Sequence, residues 1–423
     1  MLLKGILFFL KLSRLLSQPH GSVICGPPSP ERNRGDEALL RSTLERLDST
    51  RETELVMTGP GDPPPFVSNC SMPVYRKFHQ AFNTDRAFIE RVKFLTHIRT
   101  KRELLLIGAD VIDEGYGPSR SRGSLQTVAL AARLGIQCHI VSFSVNETPS
   151  SALAKRFLSL GNNTILVPRE RISYKRLQQV GVANLRLGGD LAFLMTSASD
   201  GDIPQDILEF AGRYRGRMLG INLIGKVLGG QLGKSIWYPV FAQALALLQQ
   251  KQDFGILLIP HDDLEDITDL RELSSILGEH LKKNSVHLLD PVPTAPVLKA
   301  VAGKCLHVIT CRMHLAIATL GMGRPVTCFP YQGKFEGQFE HLQLSADGLW
   351  PMESLPKEPQ VLAEQLRGRF EQSEAIAAHV RERLPTIQEF ANKNFQGFSG
   401  FLEATSSMKS QDQTPQATVE RTS

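Results

Sequence analysis

Short apolar runs alternate with amphipathic helical patterns along almost the whole chain, and this alternation restricts its possible folds more than any other feature. Repeated strand-then-helix order is the signature of βαβ units and hence of parallel sheets. The apolar runs predict strands over residues 22–25, 54–58, 103–107, 137–143, 164–167 and 184–187, then 217–223, 254–259, 286–289, 307–310 and 326–329. Helical periodicity between them predicts helices over 36–47, 124–134, 151–160, 173–180, 240–250, 267–282, 295–304 and 314–320. The expected fold class is α/β.

A chain of 423 residues exceeds one ordinary core and suits two domains plus a tail. Small, polar and helix-breaking residues cluster at 196–204, which puts the domain boundary there. The expected division is an N-terminal helix (1–19), one Rossmann-like domain (20–198), a second with terminal helices (199–400) and a disordered tail (401–423). Two Rossmann-like domains facing across a cleft would bring strand ends of both sheets to one site. Residues 359–394 look helical and charged, suited to cross back over the first domain, with Pro385 expected to break or kink them.

Hydrophobic content of 42% and charged content of 22% describe a soluble globular protein. A net charge of +5, with no long basic run or aromatic stripe, argues against a nucleic-acid partner and leaves small anionic substrates open. The six cysteines form no C-x-x-C pair, so free thiols in a reducing, cytoplasmic setting are expected. No H-E-x-x-H spacing occurs, and no metal is expected.

At the N-terminus Lys4, Lys11 and Arg14 fall within roughly 80° of one another on a helix of about 100° per residue, and the rest of the circumference is largely apolar. Charge interrupts this stretch too often for a bilayer span. Three readings stay open: peripheral contact with the inner face of a membrane, packing on the domain, or an artefact of start-codon choice.

The candidate chemistry sits where strands end. Thr310 closes one apolar run, and Arg312 and His314 follow before a small-residue helix. The N-terminus of a helix favours anions, and a guanidinium and an imidazole there suit an anionic substrate and proton transfer. A helix-capping histidine and a surface ion pair are the plain alternatives. His261 follows another strand, and Lys334 lies beyond the last. In the first half, Gly35, Asp36 and Glu37 open the helix after the first strand, where Gly35 allows close approach and an acid accepts sugar hydroxyls. Capping of the helix dipole explains the same acids. Asp110, Arg169 and Asp190 occupy three further strand ends, Arg169 with the fork geometry that clamps phosphate or carboxylate. Neither G-x-G-x-x-G nor a Walker A loop is present, so nicotinamide and ATP gain no support.

In order, Gly35-Asp36-Glu37-Ala38, Gly108-Ala109-Asp110, Arg169 with Ser173 and Gly181, Asp190-Leu-Ala-Phe193, Ile259-Pro-His261, Thr310-Cys-Arg312-Met-His314 and Tyr331-Gln-Gly-Lys334 resemble the polysaccharide pyruvyl transferase family over roughly residues 20 to 345. The loop 27–34 is longer and richer in proline than the family's short Gly-Asn-x-Gly-Asp form. The resemblance implies a glycosyltransferase-B-like fold and transfer of a pyruvyl group from phosphoenolpyruvate onto two hydroxyls of a sugar or lipid-linked oligosaccharide, giving a ketal. Phosphoenolpyruvate is a co-substrate, and no cofactor is implied. His314 would be the principal acid/base, Arg312 would steady the leaving phosphate, and His261 would move a second proton or orient a hydroxyl. Arg169, Lys334, Gly35, Asp36, Glu37, Asp110 and Asp190 would bind substrate. Two rival readings remain: a nucleotide-sugar glycosyltransferase of the same architecture, and a non-catalytic homologue that binds polysaccharide or a partner.

Overall fold

The computed structural model describes residues 2–401 except 85, 116, 148 and 332; the Lys4 side chain and the expected tail from residue 402 lie outside the described part. Two sheets form the frame. In the first, β1 (Ser22–Cys25), β2 (Thr53–Val56), β3 (Val74–Tyr75), β4 (Glu103–Ala109), β5 (Gln137–Phe143) and β6 (Thr164–Pro168) stand in the order β3-β2-β1-β4-β5-β6. In the second, β7 (Met218–Asn222), β8 (Gly255–Leu258), β9 (Val286–Leu288), β10 (His307–Thr310) and β11 (Val326–Cys328) stand in the order β11-β10-β7-β8-β9. All pairings are parallel.

Every residue of β1, β2, β4, β7, β8, β10 and β11 is buried, which is why these strands read as unbroken apolar runs rather than alternating ones. In each sheet the chain winds outward in both directions from a central pair, β1 with β4 and β7 with β10. Loops leaving such a pair diverge to opposite faces and open a crevice at the carboxyl ends of the strands.

One hydrophobic core runs through both halves, joining Ile24, Leu39 and Leu105 to Ile259, Leu315 and Val308. The helix Arg34–Leu44 of the first half is buried along its first two turns and packs on the helices Ala295–Lys304 and Met313–Gly321 of the second. The backbone N–H of Arg34 donates to the His261 carbonyl at 3.2 Å, and Asn33 and Asp262 form an isolated bridge. These bonds cross the cleft floor and fix the two sheets face to face.

Two expectations are corrected, and one strand was not foreseen. Residues 184–187 form no strand: Leu185 makes a single bridge to Leu166, and Gly188-Gly189 then carry the backbone against the terminal helix. A β-carbon on Gly189 would lie 2.8 Å from the Ala391 nitrogen, so a continued strand with side chains has no room. Val74–Tyr75, two residues long, gave no periodic signal yet pairs with β2. Pro385, expected to break or kink its helix, lies inside the helix Ser373–Asn392 without breaking it. The proline costs ~3 kcal/mol in a free helix, but Ile387 and Ala391 beyond it are fully buried and offset the loss. Asn394 then bonds to the Gly189 carbonyl at 2.8 Å and accepts from the Ser142 N–H at 3.0 Å, so the chain does return to the first sheet.

The N-terminal helix Leu2–Leu16 is docked by the cation expected on its polar face. Arg14 is buried and donates to the carbonyls of Arg99 at 2.7 Å, Lys101 at 2.5 Å and Gly135 at 3.1 Å. Leu7 and Leu10 pack inward beside it. Phe8, Phe9, Leu15 and Leu16 point outward, 65–84% exposed, with Leu12 at 46%. Among the described residues no helix is long and apolar enough to cross a membrane.

Candidate active site

The crevices of the two sheets merge into one cleft of about 410 Å³. Ser29, Arg32, Asn33 and Asp36 reach it from the loop and helix after β1, and Asp110 and Arg120 from those after β4. Lys226 comes from the short helix Gly225–Leu228 after β7, His261 from the segment after β8, Arg312 and His314 from the turn and helix after β10, and Tyr331 from the segment after β11. Both central pairs therefore contribute, as the topology requires.

Asn33 caps the helix Arg34–Leu44, accepting from the N–H groups of Gly35 at 2.9 Å and Asp36 at 3.2 Å. This cap holds Asp36 on the cleft wall, where its carboxylate accepts the Ser29 N–H at 2.9 Å. Burial raises the Asp36 carboxyl to about 6, against the opposing pull of that hydrogen bond and of His314. The group is therefore poised to gain or lose a proton near neutrality.

Arg312 lies two residues beyond the end of β10 and directly precedes the helix Met313–Gly321, with its N–H bonded to Thr310 Oγ1 at 2.8 Å. Its guanidinium is held by Asp266 at 3.0 Å and by Glu265 at 3.1 Å, and one edge faces the cleft. Burial pulls its pKa down, but Asp266 more than compensates and keeps the cation. The fully buried Asp266 also accepts from Asn222 Nδ2 at 2.8 Å and from the His261 N–H at 2.9 Å. One carboxylate thereby ties the ends of β7, β8 and β10 together.

His314 stands on the first turn of its helix with Nε2 3.6 Å from Asp190 Oδ2, an electrostatic contact longer than a hydrogen bond. The imidazole of His261 lies parallel to it, ring centres 6.3 Å apart. Burial, aided by His314, Arg312 and Arg34, lowers the His261 pKa far below the ordinary value, so this ring is neutral. The pair offers one imidazole beside a carboxylate and one kept uncharged.

The expected binding residues divide. Asp36 and Asp110 line the cleft with His261, Arg312 and His314. Arg169 does not: it is completely buried, bonded to Ser144 Oγ at 2.8 Å, to Asp190 at 3.1 Å and to Asp110. A guanidinium committed to two carboxylates behind the wall holds those carboxylates rather than a ligand, which corrects its expected role as an anion clamp. Lys334 is likewise 2% exposed, 3.5 Å from Asp110 and 3.6 Å from Asp113. Burial pushes the carboxyls of Asp110 and Asp190 up, but the surrounding Arg169, Lys334 and His314 outweigh it and hold both ionised. Glu37 turns away from the cleft, accepting from the Ala295 N–H at 3.0 Å and from Arg41 at 2.7 Å, so it joins the two halves instead of meeting sugar. Gly35 serves by having no side chain: a β-carbon there would lie 2.3 Å from His314 Nδ1.

Arg32, Arg120, Lys226 and the buried Asp266 were not singled out in the sequence, and Tyr331 entered only as the first residue of a family motif. All five follow strand ends, so that rule applied to every loop would have found them, but apart from Tyr331 none stands in a distinctive local motif. Among the described residues no three His, Cys, Asp or Glu side chains gather in a way that would hold a metal ion.

Paired parallel sheets, each opening at its switch point onto a shared cleft, define a glycosyltransferase-B-like protein built of two Rossmann-like domains. Solved structures share that fold. A Listeria monocytogenes protein assigned as a UDP-N-acetylglucosamine 2-epimerase superposes with a TM-score of 0.59 at 14% identity, covering 86% of this chain and 91% of its own. Anabaena HepE in complex with UDP-glucose gives 0.55 at 14% identity, with 89% and 96% covered. UDP-GlcNAc 2-epimerase from Neisseria meningitidis bound to UDP-GlcNAc gives 0.55 at 12% identity, with 88% and 96% covered. Among curated proteins, none matches the sequence. The family model for polysaccharide pyruvyl transferase matches residues 33–333, and the chain belongs to that family.

Proposed function

We propose that the protein transfers a pyruvyl group from phosphoenolpyruvate onto two hydroxyls of a sugar in a polysaccharide or its lipid-linked precursor, forming a pyruvate ketal and releasing phosphate. The observation that carries this reading is the convergence of Arg312, His314 and His261 from one sheet with Asp36 and Asp110 from the other around a single cleft, in a chain of this family.

Arg312, with Arg32, Arg120 and Lys226 on the same walls, supplies the charge for a phosphate and a carboxylate. The unpaired N–H groups at the start of the helix Met313–Gly321 add to it. His314, oriented by Asp190, delivers a proton to the methylene carbon. The first acceptor hydroxyl attacks the adjacent carbon and loses its proton to Asp36, while neutral His261 orients that hydroxyl. The C–O bond to phosphate then breaks, with Arg312 balancing the charge that develops on the leaving group. The second hydroxyl closes the ketal, and its proton leaves with the phosphate. Asp110, ionised and fixed by Arg169, orients the sugar.

A nucleotide-sugar glycosyltransferase is the second reading, favoured by the UDP-sugar complexes among the structural neighbours. Purified protein incubated with phosphoenolpyruvate and a panel of lipid-linked and nucleotide sugars separates the two. Acceptor-dependent phosphate release supports pyruvyl transfer, whereas uridine diphosphate release without phosphate release sinks it.

We further infer that the enzyme works at the cytoplasmic face of a membrane, where a lipid-linked acceptor resides. The outward row of Phe8, Phe9, Leu12, Leu15 and Leu16 supports this, together with exposed Lys11 on the same helix and the absence of any acidic residue before Glu31. Apolar side chains enter the acyl boundary while cations meet anionic headgroups. Vesicles containing anionic lipid should sediment the protein, and Phe8→Asp with Phe9→Asp should abolish this. Equal sedimentation of that variant would remove the inference.

A further inference from the structure

A second cavity, about 600 Å³, sharing no lining residue with the cleft, lies between the segment after β11 and the helix Pro359–Glu371. Leu349, Trp350 and Leu355 form one wall, and Gln365, Gly368 and Arg369 of the helix form the other. The wall segment is fixed to the sheet: Leu349 bridges Cys328, and the Trp350 N–H donates to the Cys328 carbonyl at 2.8 Å. Bonding of the indole N–H to the Asp347 carbonyl at 3.0 Å holds the Trp350 ring in place.

Arg369 is only 8% exposed, yet no carboxylate lies within ion-pair distance of it among the described residues, and its Nε is buried without a hydrogen-bond partner. The acids nearby are otherwise engaged. Asp347, whose charge favours the Arg369 cation from beyond ion-pair distance, takes the Ser345 hydroxyl at 2.7 Å, and Glu364 is paired with Arg367 and Lys251. An arginine this buried is normally paired, because desolvating its charge without compensation is unfavourable. Gly368 is the second anomaly. Glycine in a helix interior destabilises it, and close packing is the usual reason to keep one. Here a β-carbon would meet nothing within 4 Å, so the residue leaves open space. A buried cation with no carboxylate in ion-pair contact, beside an apolar wall and a gap in the helix surface, has the composition of a small-ligand site.

We propose that this cavity binds a small organic anion whose carboxylate pairs with Arg369 and whose flat apolar body lies against Trp350. The site is separate from the catalytic cleft, and the proposal does not depend on the reaction assigned there.

4-Fluorobenzoate carries both features, and fluorine NMR reads its binding to the full chain. Saturable binding is expected, at least tenfold tighter than that of neutral 4-fluorobenzyl alcohol, with a change in Trp350 fluorescence at the same concentrations. Arg369→Gln should weaken binding at least tenfold. Gly368→Leu, which fills open space on a helix, should abolish binding in a folded protein, and His314→Ala should leave affinity unaltered. Absence of saturable binding, retained affinity in folded Gly368→Leu, or loss of affinity in His314→Ala would each overturn the proposal.

Discussion

Gly35 and His314 meet across the interface of the two domains so closely that a β-carbon on residue 35 would lie 2.3 Å from His314 Nδ1. The helix after β1 thus forms the wall against which the candidate acid/base is positioned. Gly35→Ala is expected to lower kcat by at least ~100-fold, the scale of a displaced acid/base, and to destabilise by ~1–3 kcal/mol through overpacking. His314→Ala should lose comparable activity without that stability cost. In the double variant the stability loss should vanish, because the methyl then fills space the imidazole vacated. Urea unfolding of all four proteins tests this; additive stability losses would show that the two residues do not meet.

Asp36 exchanges stability for reactivity. Its folded-state pKa of about 6, raised from 3.8 chiefly by burial, means that ionisation costs folding free energy as pH rises from about 4 to 6, and the full cost is present above that. Asp36→Asn should accordingly be more stable than the parent by about 1–3 kcal/mol at pH 7.5, with little gain at pH 4, while activity falls at least ~100-fold. In the parent, kcat/KM should rise with pH through about 6 if, as proposed, the carboxylate form accepts the hydroxyl proton. Thermal melts at the two pH values and a pH–rate profile check both parts.

Arg169 makes a test of wall against ligand. Arg169→Met strands Asp110 and Asp190 as buried carboxylates, and removing one partner of such a cluster costs ~3–5 kcal/mol. Arg169→Lys should rescue little, since an ammonium cannot serve Ser144, Asp110 and Asp190 in the arginine's forked geometry. A variant of unchanged stability with only a raised KM for phosphoenolpyruvate would return Arg169 to the role of direct anion clamp.

Buried neutral histidines should make the fold acid-labile. Burial lowers His139 to about 4 and His307 to about 3, the latter lodged between the hydroxyls of Ser373 at 3.1 Å and Thr327 at 2.8 Å. Because their folded pKa values lie below the unfolded value near 6.5, their contribution is complete above pH 6.5. It is lost as pH falls, by up to about 1.4 kcal/mol per pH unit for each ring. His307→Gln keeps hydrogen-bonding capacity and cannot titrate, so its stability should fall less steeply between pH 6 and 4. Equal slopes for parent and variant in denaturant melts would discount His307.

The sequence by itself determined the α/β class, ten of the eleven strands and the family motifs, because strands buried on both faces must be apolar throughout and leave a local record. It also placed Arg312, His314, His261, Asp36 and Asp110 at strand ends, where parallel topology directs ligands. What each side chain does there depended on partners far away in the chain. Arg169 reads as a solvent-facing clamp until Asp110 and Asp190 are seen to enclose it, and Glu37 reads as a sugar ligand until Ala295 arrives from the other domain. Arg14 likewise counts as membrane-facing charge until three backbone carbonyls turn it inward and leave the phenylalanines outside. Periodicity records which faces are buried. Only the tertiary structure decides what they are buried against, because a charge is neutralised, held or left free by groups brought near it in space.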